Sequence, residues 1–187
     1  MTTLSTYIRD QAYNRLTVGS IKDNWRSSRK FPVPTLQSDL LPCLSVYLMQ
    51  EDLNPDGDDN VSVPRYIADA ILGLSIFDET TDPEVIDGNV DVLADLIEET
   101  LLTDISFVSL KDSTGAPLIE SFPRLSRRYH FPSQGEKYFV ECRLQLTVRY
   151  RCYFAPPTPT ALTSVDVTST PVPTGAVVPN IIIPLPQ

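Results

Sequence analysis

His130 is the only histidine in this chain of 187 residues, so a Ser-His or Cys-His mechanism would have to run through that single imidazole. It lies in a stretch with a strand-like pattern, where a packed or surface side chain is the expected role. The seven glycines form neither GxGxxG nor GxxxxGK[ST], and Gly135-Glu136-Lys137 lacks the upstream glycine, so no loop is built to cradle phosphates. Cys43, Cys142 and Cys152 are isolated, whereas a zinc site needs ligands at short spacings, and the expected role is that of small apolar side chains. In a straight strand Cys142 and Cys152 would sit roughly 33 Å apart, far beyond disulfide reach. One cation motif does match. Asp52, Asn54, Asp56 and Asp58, with Gly57 between the last two, fit the opening of a calcium loop, in which alternate oxygens converge on the ion. Val63 stands where the bidentate glutamate belongs and the flanks read as strands, so a solvated hairpin loop is the favoured reading. No cofactor and no enzymatic activity are expected.

The other chemistry on offer is charge. Arg124, Arg127, Arg128, Arg143, Arg149 and Arg151 fall within 28 residues, with Tyr129 and Tyr153 beside them. Such a group could neutralise phosphates and stack bases, or it could face acids of another subunit. The charge distribution favours the subunit: residues 1–36 hold six Lys/Arg against two Asp/Glu (+4), residues 37–120 two against nineteen (−17), and residues 121–187 seven against three (+4). Copies meeting basic face to acidic face would use that polarity, with Asp91, Asp95 and Glu98 as the expected partners of the arginines.

These side chains need elements to hold them. Tyr138 to Phe154 is apolar at every even position, while Glu141, Arg143, Gln145, Thr147, Arg149 and Arg151 fill most odd ones. A period of two describes one long strand with a dry and a wet face, reaching roughly 55 Å and so expected to project beyond its own sheet. Residues 3–18 place Leu4, Ile8, Ala12 and Leu16 one turn apart, an amphipathic helix stopping near Gly19. WRSSRKFPVP (25–34) reads as an irregular connector. LPCLSVYLM (41–49) and RYIADAILGLSIF (65–77) read as strands of an antiparallel hairpin, joined by an acidic loop in which Glu51, Asp52, Asp56, Asp58 and Asp59 concentrate charge. Asp82-Pro83-Glu84 opens a helix carrying Ile86, Val90, Leu93, Ala94, Ile97 and Leu101 on one stripe. Phe107–Leu110 and Phe122–Phe131 are expected strands, and Ser133 to Glu136 a turn. The fold class is therefore α/β of the α+β type, a mostly antiparallel or mixed sheet with long strands and two helices packed on it.

Residues 155–187 hold eight of the seventeen prolines and one charged side chain, Asp166. They are too aliphatic for a typical disordered tail and read as an extended arm, with Val165, Val167, Val177, Val178, Ile181, Ile182 and Ile183 as its contact residues for a partner. A domain over 1–154 and an arm over 155–187 is the expected organisation. No run of about 18 apolar residues spans a membrane, and the N-terminal segment lacks the order of a signal peptide, so a cytoplasmic protein is expected.

The order of elements, together with LPCLSVYL, IADAILGLSIF, VDVLADLIEETLL, SRRYHF and CRLQLTVRY, resembles the tail terminator proteins of long-tailed bacteriophages over about residues 4–154. The resemblance implies a structural virion protein of the tail and neck, assembled in the host cytoplasm. It would close into a six-membered ring that caps the tail tube protein and offers its other face to the head connector. DNA would pass through without specific binding, along an acidic loop at the lumen or rim. A head-tail connector or tail completion protein of the neck is the nearest alternative, and a small cytoplasmic binding module the alternative of a different class.

Overall fold

A computed structural model describes residues 3–32, 37–57, 64–80, 82–112, 114–134, 137–154, 164–167 and 181–184, with 83–87, 133–134, 137, 164–167 and 181–184 as backbone alone. Its frame is the long alternating strand, β6, Lys137–Tyr153. The 16-residue strand β3, Arg65–Thr80, pairs with it antiparallel over its whole length, from Arg65 opposite Tyr153 to Thr80 opposite Tyr138. Strand β2, Cys43–Pro55, runs antiparallel on the far side of β3, and β4, Ile119–His130, antiparallel on the far side of β6. A three-residue strand β1, Ser27–Arg29, joins β2 in parallel, and β5, Ser133–Gln134, pairs with the start of β6. The sheet is thus mixed, in the order β1-β2-β3-β6-β4, as the α+β reading expected.

The even residues of β6 make the dry face. Val140, Cys142, Leu144, Leu146, Val148 and Tyr150 are all buried, and across the ladder the last five meet Ile76, Leu74, Leu72, Ala70 and Ala68 of β3. Helix α1, Leu4–Leu16, and helix α2, Pro83–Thr103, cover that face and complete one core. Thr3 caps α1 by accepting from the Thr6 amide, which meets one of the first-turn N–H groups that have no helical partner. Ile8, Ala12 and Leu16 are buried as the spacing requires, while Leu4 stays exposed and Ser5 takes its place inside. Along α2, Val90, Ala94, Ile97 and Leu101 are buried and Leu93 packs beside them; the side chain of Ile86 lies outside the described set.

Three expectations about local structure are corrected. The segment from Trp25 is more than a connector: Trp25 is 7% exposed, its indole N–H donates to the Leu16 carbonyl at 3.0 Å, and Ser27–Arg29 then pairs with Cys43–Ser45. Residues 107–110 are not a strand. Asp104 accepts from the Ser106 amide and starts a short helix, α3, Ile105–Val108, which turns Phe107 into the core. The acidic loop is shorter than expected, because β2 continues through Pro55 and pairs with β3 as far as Tyr66. A bulge between Leu48 and Gln50 permits this. One extra residue reverses the alternation, so Gln50, Asp52 and Asn54 point to the wet face where Cys43, Ser45 and Tyr47 pointed before it. The long strand β6 does not project beyond its sheet as expected, because β3 pairs with it from Tyr138 to Tyr153. Met49 to Pro55 of β2 are all exposed, so this end of the hairpin stands clear of the helices.

Residues 155–187 are a unit separate from 1–154. Their described part is two four-residue strands, β7 (Ser164–Val167) and β8 (Ile181–Pro184), paired antiparallel with Val165 opposite Ile183, Asp166 opposite Ile182 and Val167 opposite Ile181. The arm therefore folds back on itself instead of running as one extended strand; Val177 and Val178 lie outside the described residues.

Gly73 of β3 leaves no room for a side chain. A Cβ built there would lie 2.6 Å from the ring of Tyr47, its cross-strand partner, and 2.9 Å from Met49. Gly73→Ala is expected to lose about 1–3 kcal/mol in urea unfolding, as overpacked sites do. In a Tyr47→Ala background the loss should shrink; fully additive losses would show that the contact does not matter.

Candidate functional site

With both helices on the even face, the odd face of β6 has no helical cover among the described residues. Registers place on this open face Arg124, Ser126, Arg128 and His130 from β4, Glu141, Arg143, Gln145, Thr147, Arg149 and Arg151 from β6, and Asp69 and Ser75 from β3. Five of the six expected arginines therefore share a face. Arg127 does not: it lies opposite Leu144, on the helix side.

That difference corrects the expected pairing between copies. Arg127 donates through Nε to Glu98 and through Nη2 to Asp95 of its own chain, both at 2.5 Å, and Tyr129, also on the helix side, donates to Asp91. Asp91, Asp95 and Glu98 stand about one turn apart on α2, so alternate residues of β4 reach successive turns of the helix. Arg127 is held in its charged form by Glu98 first and then Asp95. The three acids assigned to a neighbouring copy thus clamp α2 to the sheet edge of the same molecule.

On the open face most of the positive charge is also answered locally. Arg149 forks onto its cross-strand neighbour Asp69 at 2.7 and 2.8 Å, and the hydrogen bond lowers the Asp69 carboxyl below the usual carboxylate range. Arg151 lies 2.8 Å from Glu120 and 3.6 Å from Asp56. Arg143 donates to Glu141 at 2.6 and 3.1 Å, which raises its own basicity. Among the described residues, Arg124 and Arg128 form no ion pair, and both are exposed.

Beneath Arg143 runs a buried polar line that sequence reasoning missed. The Tyr47 hydroxyl meets Ser75 Oγ at 3.2 Å, Ser75 Oγ donates to Glu141 Oε1 at 3.1 Å, and Glu141 is only 7% exposed. A carboxylate that far from water needs such partners, and this one has a hydroxyl and a guanidinium. Its sequence signal was faint: a serine and a glycine, Ser75 and Gly73, interrupting an apolar strand.

The remaining expected sites come apart. Asp52 and Asn54 lie on the paired strand β2, opposite Asp69 and Ile67, and an extended backbone cannot curl their oxygens around a calcium ion. Asp56 stands beside Arg151, and Asp58 and Asp59 lie outside the described residues. Of the expected lumen acids, Glu51 and Asp52 therefore belong to a strand; Glu51 turns to the helix side and accepts from the Tyr150 hydroxyl. His130 is exposed, opposite Glu141. The three cysteines are free thiols, and burial pushes Cys142 up.

No family model matches the chain, and no curated protein matches it. Among solved structures, a chain from a virion of a native gene transfer agent particle is similar at 10% identity over 75% of this chain and 93% of that one, with a TM-score of 0.34. A score of that size does not establish a shared fold. No helix among the described residues is long and apolar enough to cross a membrane.

The hydrogen bond to Asp91, followed by burial, pushes the Tyr129 phenol up to about 12. The folded state then holds this proton more tightly than the unfolded chain, whose tyrosines ionise near 10. The stabilisation is complete below about pH 10 and is lost as pH rises toward 12. Urea titrations at pH 8 to 11 should show the advantage of the natural protein over Tyr129→Phe shrinking above pH 10; a difference independent of pH would contradict the assignment.

Proposed function

We propose that this chain is a structural subunit of a long-tailed phage particle, a tail terminator that closes into a six-membered ring between the tail tube and the head connector, with no enzymatic role. The observation that carries the reading is where the resembling segments lie. LPCLSVYL enters and forms most of the first half of β2, IADAILGLSIF falls in β3, VDVLADLIEETLL in α2, SRRYHF ends in the last residues of β4 and CRLQLTVRY lies in β6. Those are the elements that make the core and both sheet faces, so the likeness concerns the frame and not a scattered set of loops.

The geometry supports a subunit role in two further ways. A sheet face without a helical cover, bearing exposed Arg124 and Arg128, stands on a chain whose residues 37–120 carry a large acidic excess. Head-to-tail contacts between unlike patches close into a ring when their rotation permits, and segregated charge fixes their sense. The projecting end of the β2–β3 hairpin, with exposed Asp52, is the part we assign to the lumen or one rim, where a wall that repels phosphate lets DNA pass.

Negative-stain images of the purified chain should show ring-shaped particles, and light scattering at low salt a mass near six subunits. The arm over 155–187 is assigned to a neighbouring subunit or tail protein, since a two-stranded ladder is marginal alone in water. A chain ending at Ala155 should keep its circular dichroism and lose ring closure or attachment. A monomer at every salt and protein concentration would overturn the assembly reading.

A further inference from the structure

Arg128 of β4 and Arg143 of β6 are direct cross-strand partners on the open face. Like charges in that position are destabilising, with side chains leaving the two strands roughly 4.5–5.5 Å apart. Only one of the two is answered, since Glu141 engages Arg143 and Arg128 has no ion pair among the described residues. The two arginines line a hollow of about 280 Å³ together with His130, Glu141 and Gln145. Its floor is fixed: Glu141 is held by Ser75, and Ser75 by Tyr47, so the guanidinium of Arg143 is positioned from below before any ligand arrives.

We infer that this hollow is an oxyanion site, and that its occupant is the carboxylate of an aspartate or glutamate on a second copy of the chain. Two guanidinium groups on adjacent strands present planar donor forks, the geometry that a carboxylate accepts in bidentate fashion. Two guanidinium groups against the single Glu141 carboxylate leave the hollow an excess of one positive charge from these three side chains. That suits one carboxylate. A nucleic-acid strand would need the positive charge to continue along the face, and it does not: Asp69, Glu120 and Asp56 are interleaved with Arg149 and Arg151. The source of the carboxylate follows from the acidic excess of residues 37–120, which is larger than the pairs within one molecule consume. The carboxylate site stands on the geometry; naming a second copy as its source rests on the assembly reading.

The test uses the full chain, Arg128→Gln, and Arg124→Gln as a control on the same face. Fluorescence anisotropy with labelled hexaglutamate at low salt should show binding that Arg128→Gln weakens roughly tenfold, the scale of a lost charge-assisted pair, and that Arg124→Gln weakens less. Inorganic phosphate should compete only weakly, and a DNA oligonucleotide of the same charge should bind no better than to Arg128→Gln. Light scattering at low salt should show Arg128→Gln dissociating at higher protein concentration than the natural chain. Equal hexaglutamate affinity for both proteins, or tighter binding of DNA, would overturn the site. Binding that depends on Arg128 in a chain that stays monomeric would leave the carboxylate site standing and overturn the second copy as its source. Assembly unaffected by Arg128→Gln would overturn the role of the site while leaving the ring.

Discussion

The ladder between β3 and β6 is the constraint on which the rest of the molecule depends. It runs without a bulge from Arg65 opposite Tyr153 to Thr80 opposite Tyr138. Because side chains alternate, this register decides at once which residues enter the core and which charges face outward. A slip of one residue would bury Arg143 and Arg149 under the helices and expose Leu144 and Leu146. The cost of burying unpaired guanidinium groups would exceed any gain elsewhere, so the apolar face and the charged face fix the register together.

The neighbouring strands depart from regular alternation, and their departures distribute the charges. The bulge in β2 sends Glu51 to the helix side, beneath Tyr150, and leaves Asp52 on the wet face. Irregularities in β4 around Ser121 and Arg124, next to Pro123, set the parity that turns Arg127 toward α2 and Arg128 toward the open face. Neighbouring arginines thereby take different roles. Arg127 ties helix to sheet through Asp95 and Glu98, and Arg128 stays available beside Arg143.

Much of this frame was legible in the sequence. The alternation in β6 persists over its length, α2 carries its start signal at Asp82-Pro83, and the spacing of Ile8, Ala12 and Leu16 fixes the buried side of α1. The misses share one cause, dependence on partners distant in sequence. Ser27–Arg29 is a strand only because Cys43–Ser45 lies beside it, and Glu51–Pro55 stays extended because β3 pairs with it. Phe107 carries a strand-like preference that the Asp104 cap overrides. The arginine cluster was visible as composition, but which face each member takes depends on bulges that no local pattern announces. The Tyr47–Ser75–Glu141 line was less legible still, since it joins single residues of three strands.

Native-state hydrogen exchange tests most directly the claim that the β3–β6 ladder is the frame. Amides of Leu144, Leu146 and Val148, with those of Ala70, Leu72 and Leu74 opposite, should exchange only through global unfolding and be the slowest in the molecule. Amides of the projecting hairpin end, from Asp52 to Asn54 and from Arg65 to Ile67, should exchange earlier through local opening. Slowest exchange in α1 or α2, with the middle of β6 opening well before global unfolding, would contradict it.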